Sequence, residues 1–167
     1  MFKSVFGGVI LMLAYISTAF AVVNVPVTTY IKIIDYGIYE GDVISKIQSD
    51  NPMGYRIVSK MNDLVSSTDK IPAKVGTRFG FRFEIAGQTL EKYLILTRVI
   101  KTPRITNPQN GKSTDVFRDV IRIPVGDLSL AGYLFEYEWE LVPGECTIQL
   151  YDNNRLLAEK TFLIYKP

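Results

Sequence analysis

The chain has 167 residues, of which 47% are hydrophobic and 12% aromatic, with 19 basic and 17 acidic side chains, one cysteine and no histidine. This composition is that of an ordinary globular domain and excludes a disordered or fibrous chain. A formal net charge of +2 argues against a nucleic-acid partner, which requires many clustered cations. Without histidine, Ser-His-Asp and Cys-His catalysis and histidine-based metal sites are excluded. We expect no cofactor.

Residues 1–21 have the pattern of a secretory signal peptide. Lys3 precedes an apolar run, and the small residues Ala19 and Ala21 occupy the two positions that a signal peptidase reads. The alternative, a transmembrane anchor, needs roughly 20 apolar residues, and the run is shorter. We therefore expect cleavage after Ala21, a mature domain of residues 22–167 without a membrane span, and a periplasmic or secreted location.

Apolar and polar residues alternate with period two along most of the remaining chain, which is typical of half-buried antiparallel strands. In chain order the predicted strands are Thr28–Tyr36, Tyr55–Met61, Arg78–Ile85, Tyr93–Lys101, Val116–Pro124, Tyr133–Glu140, Cys146–Tyr151 and Leu156–Tyr165. A short helical turn is predicted at Gly41–Gln48. The Asn-rich stretch Asp152–Arg155 predicts a tight turn that joins the last two strands into a hairpin.

These elements predict an all-β fold, a single immunoglobulin-like β-sandwich of about seven or eight antiparallel strands. A soluble ligand-holding barrel would show the same alternation and stays open as an alternative. A membrane barrel is disfavoured, because charged residues occupy the outer faces of the strands.

The single cysteine, Cys146, cannot form an intramolecular disulfide. It shares a strand face with Ile148 and Leu150, so we predict that it packs in the core as a small hydrophobe.

Several segments resemble a bacterial family known only as a domain of unknown function. They are Thr68–Phe81, Asn107-Pro108 with Gly111-Lys112, Gly132-Tyr133 leading to Trp139–Glu145, and Leu157–Phe162. The resemblance covers roughly residues 30–164 and implies a small exported protein with an immunoglobulin-like sandwich, but it implies no activity. One departure is Cys146, where the family pattern has an aromatic residue, usually tryptophan.

The residues that carry this resemblance also have a physical interpretation as determinants of the fold. Glycines at the entry to a strand permit positive φ or close approach of a neighbouring backbone, and Pro-Gly makes a turn. We assign to this fold signature Gly76, Phe79, Gly80, Trp139, Pro143 and Gly144.

The polar stretch Thr106–Asp115 is the best candidate for a recognition loop, because long loops on rigid sandwiches collect binding residues. Its candidate residues are Asn107, Pro108, Asn110, Gly111 and Lys112. The alternative is a simple connection that crosses between the two sheets.

Three carboxylates, Glu136, Glu138 and Glu140, are predicted on one outer face of a strand, with neighbours about 6.6 Å apart. That spacing loosely fits an inverting glycosidase pair, but a solvated face offers no apolar setting to raise a carboxyl pKa. We expect these groups to pair across the sheet with Arg82 or Arg98. No catalytic residue and no metal ligand is assigned.

The sequence therefore predicts a non-enzymatic exported module that binds an envelope protein or a cell-surface component through an edge strand or the recognition loop. The alternative is a binder of a small ligand or glycan. A hydrolase built on carboxylates alone is a third hypothesis.

Overall fold

The computed structural model describes residues 29–49, 53–59, 63–87 and 91–167. The predicted signal peptide lies outside these residues. The described part of the chain contains eleven strands and one short 3-10 helix at Glu138–Glu140. The strands are β1 (Thr29–Glu40), β2 (Val43–Gln48), β3 (Tyr55–Ser59), β4 (Asp63–Ser66), β5 (Lys70–Pro72), β6 (Arg78–Gly87), β7 (Tyr93–Thr106), β8 (Ser113–Pro124), β9 (Ser129–Leu134), β10 (Gly144–Asp152) and β11 (Arg155–Tyr165).

Two main sheets enclose the core. One has the strand order β4-β1-β6-β9 and the other the order β5-β11-β10-β7-β8, while β2 and β3 form a separate hairpin. All pairings are antiparallel except β5 with β11. The predicted all-β class is confirmed, with more strands than the seven or eight expected.

Strand β6 supplies the centre of the core, as its alternation predicts. Phe79, Phe81 and Phe83 are completely buried. The ring of Phe79 lies 5.2 Å, centroid to centroid, from that of Phe162 in the opposing sheet. This edge-to-face contact ties the two sheets together.

Two glycines of the fold signature lie where backbones approach closely. Gly80 faces Gly132 across the β6–β9 pair, and a Cβ on Gly80 would lie 2.1 Å from the carbonyl oxygen of Ala131. A Cβ on Gly144, which begins β10, would lie 2.7 Å from Cγ of Pro103. Any larger residue at either position would force the neighbouring segment to move.

The predicted C-terminal hairpin is confirmed by the pairing of β10 with β11, in which Asp152 faces Arg155. Asn153 takes the left-handed conformation with φ 54°, which asparagine tolerates better than most residues. Cys146 is 1% exposed and lies among buried neighbours, as predicted. Burial raises the pKa of its thiol to about 12.

The helical turn predicted at Gly41–Gln48 is wrong, because this segment contains β2, paired with β3. Val43, Ile44 and Ile47 are β-branched residues that favour extended backbone. The short strands β4 and β5 are not predicted at all, since three or four residues are too few to show a period.

The predicted strand Tyr133–Glu140 is also wrong beyond its first two residues. Strand β9 ends at Leu134 and the chain enters the 3-10 helix after Tyr137. The physical reason is topological, since the chain must leave the four-stranded sheet here to start β10 in the other sheet. The ring of Tyr137 stacks on the partly buried Trp139 at 5.7 Å.

The loop predicted at Thr106–Asp115 is shorter than expected. Strands β7 and β8 are direct neighbours, so residues 107–112 form the turn of a hairpin inside one sheet. A connection that crosses between the sheets, the predicted alternative, is therefore wrong.

Candidate functional site

A cleft of about 550 Å³ lies between β8 and β9, the terminal strands of the two main sheets. The β2–β3 hairpin forms its third wall. Its apolar lining includes Ile47, Ile57 and Val58 from the hairpin, Phe117, Ile121 and Ile123 from β8, and Leu130 and Leu134 from β9. We call this feature the edge cleft. Its volume is within the range of about 300–1,000 Å³ that small-molecule sites occupy.

A bidentate ion pair lines the edge cleft. Nε and Nη2 of Arg98 on β7 donate to the two carboxylate oxygens of Asp119 on β8, at 3.0 and 2.6 Å. The remaining Nη1 of Arg98 donates to the carbonyl oxygen of Gly132 on β9, at 3.2 Å. Arg98 thus joins the two sheets at their edges. A charged pair facing inward on an edge strand also discourages edge-to-edge aggregation.

A second arginine, Arg78, lies against the same cleft and is only 5% exposed. The alternation of β6 predicts an outward, solvated side chain here, but the structure buries it. Burial lowers the pKa of its guanidinium, against the opposing fields of Asp42 and Glu136. The burial of Arg78 depends on residues far away in sequence, because Tyr55 and other residues of the β2–β3 hairpin line the same cleft.

Four side chains fasten the hairpin to the sandwich beside the edge cleft. Glu136 accepts a hydrogen bond from the Tyr55 hydroxyl at 2.6 Å and pairs with the Lys46 ammonium at 2.8 Å. Lys46 also donates to the Tyr55 oxygen at 3.0 Å, and the Tyr137 hydroxyl lies 3.2 Å from that oxygen. We call this group the hairpin clamp. Burial, followed by the hydrogen bond to Glu136, raises the pKa of the Tyr55 phenol well above its usual range.

Beneath the hairpin clamp lies a buried carboxyl, Glu140, which is 3% exposed. Its Oε2 accepts a hydrogen bond from the backbone N–H of Glu136 at 2.8 Å. Burial raises its pKa to about 7, against the lowering effect of backbone hydrogen bonds from Glu136 and Tyr137. Glu140 therefore titrates near neutral pH and positions the backbone that carries the central carboxylate of the clamp.

Glu140 borders a very small cavity of about 10 Å³, which Thr102 and Cys146 also line. Within the described residues, Glu140 Oε1 and Thr102 Oγ1 are the buried side-chain oxygens without a hydrogen-bond partner. Burial of these two oxygens therefore lowers the stability of the fold, because each loses its contact with water without gaining a hydrogen bond.

The predicted outer-face stripe of carboxylates is wrong. Glu140 is buried, Glu136 is partly buried in the clamp, and only Glu138 is exposed. Their predicted cross-sheet partners are also engaged elsewhere, since Arg82 pairs with Asp35 and Arg98 with Asp119. The stripe fails because the strand does not continue past Leu134.

The candidate recognition loop forms a compact turn. Asn107 is buried, and its side-chain oxygen accepts from the backbone N–H of Gln109 at 2.9 Å. The side chain of Asn110 accepts from the N–H of Lys112 at 2.9 Å. Pro108, Gly111 and Lys112 are exposed. A role of this loop in recognition stays a prediction.

Among the residues of the edge cleft and the hairpin clamp, the sequence singled out Glu136 and Arg98, but as a solvated carboxylate and its cross-sheet partner rather than as parts of a cleft. Tyr55, Arg78 and Arg98 belong to predicted strands, and Lys46 to the segment predicted as a helical turn. No local motif marks them, because three separate structural units bring them together.

Among the residues that the structure describes, no group of three or more cysteine and acidic side chains could hold a metal ion. The same part of the chain contains no helix with the length and apolar character needed to cross a membrane.

The comparisons with known proteins agree with the fold. A crystal structure of an immunoglobulin-like protein from Pseudomonas aeruginosa is similar to this chain, with 27% sequence identity and a TM-score of 0.63, over 85% of this chain and all of that one. No match is found among curated proteins. Residues 27–164 match the family model of a domain of unknown function, DUF3859. The chain, an immunoglobulin-like β-sandwich, therefore belongs to the DUF3859 family.

Proposed function

We propose that this protein is a non-enzymatic, exported binding domain whose edge cleft holds a small molecule with an apolar body. The observation that carries the proposal is the cleft itself. It is about 550 Å³ in volume, it is lined mainly by aliphatic and aromatic residues, and charged side chains, most of them arginine, complete its lining. Sites of this kind are typical of small-ligand binding.

This proposal favours the small-ligand alternative over docking of an envelope protein. Asn107 and Asn110 of the predicted recognition loop accept hydrogen bonds from backbone N–H groups within the loop, whereas the edge cleft offers an apolar surface that a ligand would cover. Burial of that surface would supply the binding free energy.

Binding rather than catalysis is proposed because the carboxylates of the cleft are already engaged. Asp119 accepts two hydrogen bonds from Arg98, and Glu136 accepts from Tyr55 and pairs with Lys46. Proton transfer to a substrate would require either carboxylate to give up these partners.

Export is proposed from the signal-peptide pattern of residues 1–21. In cells that express the whole chain, we expect the protein in the periplasm or the medium, with a mature N-terminus at Val22. A full-length protein retained in the cytoplasm would contradict this part of the proposal.

The cleft is tested with the neutral apolar dye N-phenyl-1-naphthylamine, whose fluorescence rises in an apolar site. We expect saturable binding to the protein purified from its exported pool. Val58→Trp, which adds a bulky ring to the hairpin wall, should weaken binding about tenfold or more.

The matched control is Val65→Trp, the same substitution at an exposed valine of β4 outside the cleft. This variant should bind the dye as the unchanged protein does. Absence of saturable binding, or equal affinities of the two variants, would contradict the proposal.

A further inference from the structure

We propose that the natural ligand of the edge cleft is an amphipathic anion, a single apolar chain or body that ends in a carboxylate or similar acidic group. This inference rests on the proposed binding function and adds the charge of the ligand.

Cations outnumber anions in the lining of the edge cleft. Its lining contains five arginines but only two carboxylates, an excess of three positive charges. The arginines are Arg56, Arg78, Arg98, Arg118 and Arg122, and the carboxylates are Asp119 and Glu136. Cations around low-dielectric walls concentrate a positive potential inside a cleft and attract anions.

Each carboxylate of the lining is held by a cation. Asp119 is held by the bidentate contact from Arg98, and Glu136 is held by Lys46 and Tyr55 of the hairpin clamp. Lys46 is a further cation beside the cleft. Both lining carboxylates therefore already have cationic partners, and the lining as a whole keeps its excess of positive charge.

Two of the lining arginines, Arg78 and Arg56, line the cleft from different strands. Arg78 lies on the cleft side of β6, 5% exposed, and Arg56 lies half-buried on the hairpin wall. A guanidinium offers five N–H donors in a planar fork that suits a carboxylate. In surroundings that exclude water, such a charge-assisted contact is stronger than the same contact at the surface.

The inference is tested by displacing N-phenyl-1-naphthylamine with three ligands of equal chain length, each below the concentration at which it forms micelles or separates from solution. They are dodecanoate (anionic), dodecanol (neutral) and dodecyltrimethylammonium (cationic). We expect dodecanoate to displace the dye at an about tenfold lower concentration than dodecanol, and the cation to be weakest.

The variant Arg56→Gln should reduce the advantage of dodecanoate over dodecanol about threefold or more. Arg104→Gln, which removes the same charge from an exposed arginine outside the cleft, should leave the advantage unchanged. Arg78→Gln is the stronger perturbation, and far-ultraviolet circular dichroism must show that it folds. If Arg78→Gln does not fold, Arg56→Gln alone tests the inference.

The outcomes separate the two proposals. If the dye binds the cleft and dodecanol competes as well as dodecanoate, or the cation competes best, the anion inference is overturned while the binding function stands. If Arg56→Gln and Arg104→Gln have equal effects, the cleft arginines do not select the anion and the inference also fails. If no dye binds in the cleft, the proposed function itself fails.

Discussion

Glu140 gives the structure a definite pH dependence, which the variant Glu140→Gln isolates. The unfolded carboxyl titrates near its ordinary value of 4.5, whereas burial raises the pKa in the folded protein to about 7. Between these values the unfolded chain has released its proton and the folded protein still holds it, so stability falls as pH rises. A difference of about 2.5 pKa units corresponds to roughly 3 kcal/mol.

The assay is urea unfolding at a series of pH values from 4 to 8, followed by circular dichroism. The difference in unfolding free energy between the unchanged protein and Glu140→Gln should shift by roughly 3 kcal/mol across this window, in favour of the variant at high pH. A glutamine side-chain oxygen can still accept the hydrogen bond from the Glu136 N–H, so the backbone position is kept.

Glu138→Gln is the matched control, since Glu138 belongs to the same 3-10 helix but is exposed. Its difference from the unchanged protein should not vary with pH. Parallel pH profiles for Glu140→Gln and the unchanged protein would refute the reasoning, because they would mean that the pKa of Glu140 is not raised in the folded protein.

Three further predictions concern the core and the hairpin clamp. A thiol reagent at pH 8 should label Cys146, which is 1% exposed, far more slowly in the native protein than in urea, and equal rates would show that it is accessible. Gly80→Ala should lower the unfolding free energy by about 3 kcal/mol or more, because its Cβ would lie 2.1 Å from a carbonyl oxygen of β9. Gly111→Ala meets open space at φ +69° and should cost about 1–2 kcal/mol; equal losses in urea melts would contradict the close approach. A double-mutant cycle of Lys46→Met and Glu136→Gln should give a coupling of about 0.5–1 kcal/mol, whereas a coupling of zero would mean that the ion pair does not hold the hairpin.

The parts of the fold that the sequence predicts well are those with a strong local period. In β6, four apolar residues alternate with polar ones, and the hairpin of β10 and β11 adds a clear Asn-rich turn. Cys146 follows the same logic, since its neighbours at i+2 and i+4 are apolar. In each case burial on one face of a sheet is enough to produce the pattern.

Other features depend on contacts between residues far apart in sequence. The alternation of β6 places Arg78 on the outer face of its sheet, and no local pattern reveals that a separate hairpin also borders that position. The position of Glu140 likewise depends on where the chain leaves one sheet for the other. In the sequence, the period of two continues past Leu134, but the strand ends there. Glu140 is therefore buried and Glu136 lies in the hairpin clamp, instead of both facing solvent in a row.

The edge cleft could not be predicted for the same reason. It is formed by the terminal strands of two different sheets and by a hairpin, and none of the three carries a binding motif. Lys46 and Tyr55 illustrate this, since each is an ordinary strand residue until the hairpin brings both to Glu136.

The most direct test of the binding site is a crystal structure of the protein with dodecanoate. We expect the acyl chain between β8, β9 and the β2–β3 hairpin, with the carboxylate within hydrogen-bond distance of Arg56 or Arg78. An edge cleft without ligand, in crystals where dodecanoate is bound elsewhere on the domain or not at all, would contradict the proposed site.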